Sequence, residues 1–273
     1  MFEIHRMTTP SATWNRPPVI EVVLGVQFAP LEQFNNGHLG WFWRQLRGDY
    51  PNANDSAPIP PVIESFGNEP EFGFPGIGFA TMRGDSRLRM VSTDGSRMVQ
   101  LQNGWLVVNW MKRDGQPYPG YSDVLTEFER AFSSLDQFVA SEELGSLQPD
   151  LWEVTYIDHF PRGTVWAERP DIPRLLPGLL GACDSPRGRF ESLTGRWNFQ
   201  LQPHPGRLSV SLQTARSAAD PSLELLVMTS TCRGPISAGS GRSASESLNY
   251  GKRAVVDTFM AVTSNEARTY WKG

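Results

Sequence analysis

Cysteine is scarce. Cys183 and Cys232 are the only two in 273 residues. Two thiols so far apart exclude a disulfide framework and a clustered zinc pattern, and they fit a thiol-reducing cytoplasm, with one bridge between them left open. Long apolar runs are missing as well. No stretch approaches the roughly 20 consecutive apolar residues of a bilayer-spanning helix, so no membrane association is expected. The opening MFEIHRMTTPSATWNRPP lacks the basic-then-apolar order of a secretion signal. It reads as an extended, loosely packed arm over residues 1–18, with a partner-binding segment through Phe2 and Trp14 as the alternative. Positive charge is not in excess: 25 Lys and Arg against 29 Asp and Glu give a formal net charge of −4. Broad binding to a phosphate backbone calls for the opposite sign, which counts against nucleic acid without closing off a local basic patch.

Reaction signatures are equally sparse. There is no G-x-S-x-G elbow. Cys183, in GACDSPRGR, has no histidine near it, and Cys232 ends an apolar run, where a packed thiol is expected. RGPISAGSGRSASES (233–247) lacks the lysine that follows the last glycine of a Walker loop. It reads as a linker, with an anion cradle on Gly239, Gly241 and Arg242 as the alternative. FGFPGIGFA (72–80) reads as a bulged start of a strand.

Strand patterning is most legible in RLRMVSTDGSRMVQLQNGWLVVNWMK, residues 87–112. Asp94-Gly95 and Asn103-Gly104 are the strongest short hairpin signals. Two-residue turns there set Val91 opposite Met98, Met90 opposite Val99, Leu101 opposite Leu106, and Val99 opposite Val108. Leu88, Met90, Val99, Leu101, Leu106 and Val108 then share an apolar face. Arg89, Gln100, Gln102, Trp105, Val107 and Asn109 share the other. Helical spacing predicts a helix near 39–50 on Leu39, Phe42, Trp43 and Leu46, and another in YSDVLTEFERAFSSLDQFVA on Leu125, Phe128, Phe132 and Leu135.

The second half restarts the pattern. LWEVTYIDHF (151–160) aligns without a gap on VIEVVLGVQF (19–28), so that Glu153 follows Glu21 by 132 residues. FQLQPHPGRLSVSL (199–212) echoes VQLQNGWLVVNW, with Gln200 and Gln202 answering Gln100 and Gln102. DIPRLLPGLL supplies a helix interrupted by Pro177, LELLVMTST a strand, and residues 248–262 the closing helix. The expected fold class is therefore α+β. A strand–helix–four-strand–helix unit is duplicated in tandem over residues 19–148 and 149–273, and forms a curved antiparallel sheet with helices on one face.

That element order resembles the duplicated TATA-binding-protein-like and helix-grip architectures. The resemblance implies that the first strands of the two repeats are neighbours near a pseudo-twofold axis, below a concave free face. RPPVIEVVLGVQFAPL, VQLQNGWLVVNW followed by YPGY, and WEVTYIDHF also resemble a sporadically distributed bacterial family of comparable length. No activity is established for that family, so the resemblance carries over no catalytic residue. It implies a bacterial cytoplasmic protein in an accessory or defence-type role.

Alternation in the opening strand sets Ile20, Val22, Leu24, Val26 and Phe28 on the core side and Val19, Glu21, Val23, Gly25 and Gln27 on the free side. Glu153 and His159 fall on the free side of the matching strand, where each glutamate is expected to pair with an Arg or Lys across the strand or to meet water. The alternative is that Glu21, Glu153 and His159 converge on a metal ion or perform acid–base work. Asp158 interrupts the apolar side and is expected near an edge or solvent. The candidate binding residues on the concave face are Glu21, Gln27, Arg89, Gln100, Gln102, Trp105, Asn109, Glu153, His159, Gln200 and Gln202. The leading functional expectation is a non-enzymatic protein-binding module without a cofactor. An enzyme or metal-dependent binder on Glu21, Glu153 and His159 is the alternative, and a nucleic-acid binder that stacks bases on Trp105 beside Arg89 the third.

Overall fold

A computed structural model describes residues 14–64, 66, 86–181, 185, 187–236 and 243–273. Phe2, residues 72–80, Cys183 and the loop carrying Gly239, Gly241 and Arg242 lie outside the described residues. The first half runs β1 (Val19–Phe28), α1 (Asn36–Leu46), β2 (Asn52–Ser56), β3 (Arg87–Val91), β4 (Arg97–Gln102), β5 (Trp105–Met111) and α2 (Tyr121–Ser141). The second runs β6 (Pro149–Pro161), a 3-10 turn at Arg169–Asp171, α3 (Ile172–Leu175), β7 (Thr194–Gln200), β8 (Arg207–Arg216), β9 (Glu224–Pro235), α4 (Ala244–Val262) and α5 (Asn265–Lys272).

All nine described strands form one open antiparallel sheet in the order β2-β3-β4-β5-β1-β6-β9-β8-β7. The opening strands of the two halves, β1 and β6, pair at its centre. Outward from them, β5, β4 and β3 on one side mirror β9, β8 and β7 on the other. Two expectations change. Among the described residues the second half has three strands after its short helix rather than four, so β2 has no counterpart. The echo between residues 199–212 and the β4–β5 hairpin is also one strand out of step, because the β7–β8 hairpin occupies the place of β3–β4. Strands that alternate about a turn look alike whatever their place in a sheet, and only pairing distinguishes them. Gln200 therefore ends the outermost strand and Gln202 lies in the turn after it, both clear of the sheet centre.

The meander pairs in the predicted register throughout, because Gly95 and Gly104 take positive φ at the turns where side chains are disfavoured. Its apolar face joins the main core. In β1 the alternation slips once. Val19 pairs with Asp158 and Glu21 with Ile157, so Ile20 is an extra residue. The bulge turns Val19 into the core beside Val22, Leu24, Val26 and Phe28, and leaves Ile20 half-buried. Each of these fully buried side chains contributes about 1.5–3 kcal/mol of transfer free energy.

The helices cover this face. Leu39, Phe42 and Leu46 of α1 and Val124, Phe128, Leu135 and Phe138 of α2 close the first half. Ser243 and Glu246 cap α4 reciprocally, and Leu248, Val255 and Phe259 close the second half. Two glycines make room for Trp152: a Cβ on Gly234 or Gly251 would lie 2.5 or 2.4 Å from its ring. The arm is docked from Trp14 onward. The Trp14 indole stacks on Trp271 of α5 at 5.5 Å, and the Arg16 N–H donates to the Trp271 carbonyl.

Candidate functional site

The uncovered side of the sheet carries Glu21, Val23, Gly25 and Gln27 from β1 and their cross-strand neighbours. Gln102, Trp105, Gln27 and Leu151 stand in one row across β4, β5, β1 and β6. That row is occupied by the chain itself. Residues 57–64, APIPPVIE, run across it, held by two side-chain amides. Gln102 accepts from the Ile59 N–H at 2.8 Å and donates to the Ile59 carbonyl at 2.7 Å. Gln27 accepts from the Val62 N–H at 2.8 Å and donates to the Val62 carbonyl at 3.4 Å. A primary amide presents one acceptor and a donor pair, so each glutamine satisfies both backbone groups of one residue, as a neighbouring strand would.

The spacing follows from elementary geometry. Gln102 and Gln27 are two strands apart, about 9.6 Å. Ile59 and Val62 are three residues apart, about 9.3 Å in a polyproline-type extended chain. Pro58, Pro60 and Pro61 favour that conformation by fixing φ near −65° and pushing their predecessors to extended values. Residues i and i+3 of such a chain face the same way, so both clasped residues present one side to the sheet.

Under the crossing segment, Trp105, Val107 and Leu151 form a second, small apolar cluster with Val23, Val62 and Phe66. Trp105 is only 5% exposed. This overturns its expected place on a bare concave surface, and its indole N–H has no partner among the described residues. Further on, Glu64 pairs with Arg207, whose guanidinium lies 6.0 Å from the Phe66 ring centroid.

The remaining open-face candidates form two separate polar groups. Asn109 donates to Glu21 at 2.6 Å and accepts from Gln100 at 2.8 Å. Gln100, Gln102 and Asn109 are all buried. Arg89, opposite Gln100, directs its Nε at the Met98 sulfur, 3.2 Å away. On the other half, Glu153 accepts from Arg233 at 2.5 Å, beside the paired hydroxyls of Thr155 and Thr231.

Glu21 and Glu153 share a face without converging. Glu21 lies opposite Ile157, whereas Glu153 lies opposite Gly25, four residues farther along β1. That is about 13 Å along the strand, too far for one ion or one proton-transfer site. His159 is at the Glu21 end, where its N–H donates to the Pro18 carbonyl. Burial and Lys112 lower its pKa. Among the described residues no three His, Cys, Asp or Glu side chains are grouped so as to hold a metal ion.

Asp158 departs from its expected place at an edge or near solvent. It is 4% exposed, on the helix side of β6 opposite Met228, rather than near solvent. Burial pushes its carboxyl up to about 7. Tyr118 and Tyr156 interact with it, and Tyr121 in turn with those two tyrosines. The Tyr118 and Tyr156 hydroxyls are 3.4 Å apart, and burial raises both, Tyr118 to about 12. The buried Tyr121 hydroxyl has no partner among the described residues. Tyr118 and Tyr121 come from YPGY, and nothing in the sequence ties that motif to Asp158. Cys232 is packed, as expected, and is free.

Two open clefts lie elsewhere. One of 340 Å³ is lined by His204 and by Tyr250 and Arg253 of α4, and one of 240 Å³ by Trp166, Arg169 and Glu224. Neither contains a residue of the sheet-face set. No described helix is long and apolar enough to cross a membrane. The chain matches no family model, no curated protein and no solved structure.

Proposed function

We propose that this protein is a non-enzymatic binding module whose helix-free sheet face engages an extended segment of a protein partner. The observation that carries the reading is the pair of glutamines. Gln27 and Gln102 each satisfy the N–H and carbonyl of one extended residue, so recognition addresses the backbone, as when a peptide is added to a sheet. Trp105, Val107 and Leu151 supply apolar contact between the two clasps. An acidic balance and buried, uncharged amides suit such a ligand better than a polyanion. A reducing cytoplasm and an accessory or defence-type pathway belong to the same proposal, and rest on the two cysteines and the family resemblance.

The test is crosslinking in the native host from a photoreactive residue at position 63, beside the clasped Val62 and 92% exposed. A photoreactive residue at Trp41, exposed on α1, is the control. The reading expects a discrete protein adduct from position 63 that position 41 lacks. Identical adduct patterns, or none from a folded protein, would count against it.

A further inference from the structure

The geometry points to residues 57–64 as a built-in occupant of the binding row, which a partner's proline-rich segment of the same chemistry displaces. This rests on the sheet-face reading above and names its ligand class: an extended peptide with apolar residues three apart, prolines between them and an acid two residues on.

Each part of that description comes from a contact. The clasps fall on Ile59 and Val62, whose separation of three residues matches the two-strand gap between Gln102 and Gln27. Pro60 and Pro61 lie between the clasped residues, where no backbone donor is asked for. Val62 enters the cluster of Trp105, Val107 and Leu151, and Glu64 meets Arg207.

The grip of both glutamines is on main chain, so nothing in it is particular to this chain's own segment. Residues 57–64 make no strand pairing, whereas β2 immediately before them pairs fully with β3. Displacement therefore removes two side-chain clasps, one small apolar contact and one ion pair, and leaves the nine-stranded sheet intact. A tethered segment competes at a high effective concentration, so the intact protein shows weakened affinity for the same peptide in trans.

The experiment uses the full chain and a fluorescent peptide of residues 57–64. In one variant, Ile59→Pro with Val62→Pro removes both N–H donors and frees the row. In a second, Gln27→Leu with Gln102→Leu is added to it. The freed variant is expected to bind the peptide at least about tenfold more tightly than the unmodified chain. The four-substitution variant, and a peptide carrying proline at both clasped positions, lose that gain. A freed variant that is folded by circular dichroism yet binds the peptide no better overturns the inference.

Peptide display on the freed variant separates the two readings. Enriched sequences lacking the apolar–proline–proline–apolar pattern retain a binding face and refute its proposed ligand. No enrichment at all refutes both. Should the double-proline variant not fold, the unmodified chain supplies the readout. Saturating peptide is expected to speed hydrogen exchange at the protein's own Ile59 and Val62 amides, and unchanged exchange overturns the inference.

Discussion

Asp158→Asn separates the cost of one buried acid from everything else in the fold. The Asp158 carboxyl is 4% exposed, and burial holds its pKa near 7 against an ordinary value of 3.8. Its folded-state pKa is raised, so the native protein binds the proton more tightly than the unfolded chain. The contribution of this one group to stability is then greatest at low pH and falls as pH rises. Between about pH 4 and pH 7 the unfolded carboxyl is ionised while the folded one is not, and each pH unit removes about 1.4 kcal/mol. Above pH 7 both are ionised and the loss levels off at about 4 kcal/mol, an order-of-magnitude figure. Asparagine has nearly the shape of the protonated acid and no charge to desolvate. Urea unfolding of both proteins at pH 4.5, 6, 7 and 8 reads the difference directly, and subtraction cancels carboxylates such as Asp94 and Asp171, whose pKa values are lowered and whose slopes run the other way. The variant is expected to match the parent near pH 4 and to gain stability steadily up to about pH 7. A difference that is flat with pH would refute the assignment of Asp158 to a desolvated site.

Other consequences are local. Gly251→Ala sets a Cβ 2.4 Å from the buried Trp152 ring, and although alanine improves helix propensity by about 1 kcal/mol, the overlap is expected to leave a net loss of about 1–2 kcal/mol in chemical denaturation. Trp14→Ala removes the stack on Trp271 and the contact with Phe259, and about 2 kcal/mol of stability with them, measured the same way. Cys232 is fully buried and burial raises its thiol pKa, so in a Cys183→Ser background a thiol reagent is expected to react only after denaturant is added.

What was legible in the sequence was what local chemistry encodes. Asp94-Gly95 and Asn103-Gly104 specify tight turns, and with them the register and both faces of the meander. The shared Glu21 and Glu153 indicated that the two opening strands present the same face, which their central pairing bears out. What was not legible depends on long-range contacts. The bulge at Ile20 costs one residue of alternation and leaves no compositional mark, yet it decides that Val19 turns into the core, where it pairs with the buried Asp158. Gln200 and Gln202 resemble Gln100 and Gln102 in their neighbours but lie toward the outermost strand, because pairing order is not written in alternation. Residues 57–64 have no hydrophobic period, and the partners that hold them are 35 and 43 positions away in the chain. Their three prolines announce an extended chain without saying where it lies. Alternation alone places Gln27 and Gln102 on the free face, but their backbone clasp depends on β4, β5 and β1 lying side by side.

Those two amides hold an extended chain by its backbone. Residue-resolved hydrogen exchange at Ile59 and Val62 measures this most directly. Both amides are expected to exchange far more slowly than that of the exposed Ile63, with Gln102→Leu releasing Ile59 first and Gln27→Leu releasing Val62 first. Exchange as fast as at Ile63 in the unmodified protein, or protection indifferent to both substitutions, would contradict it.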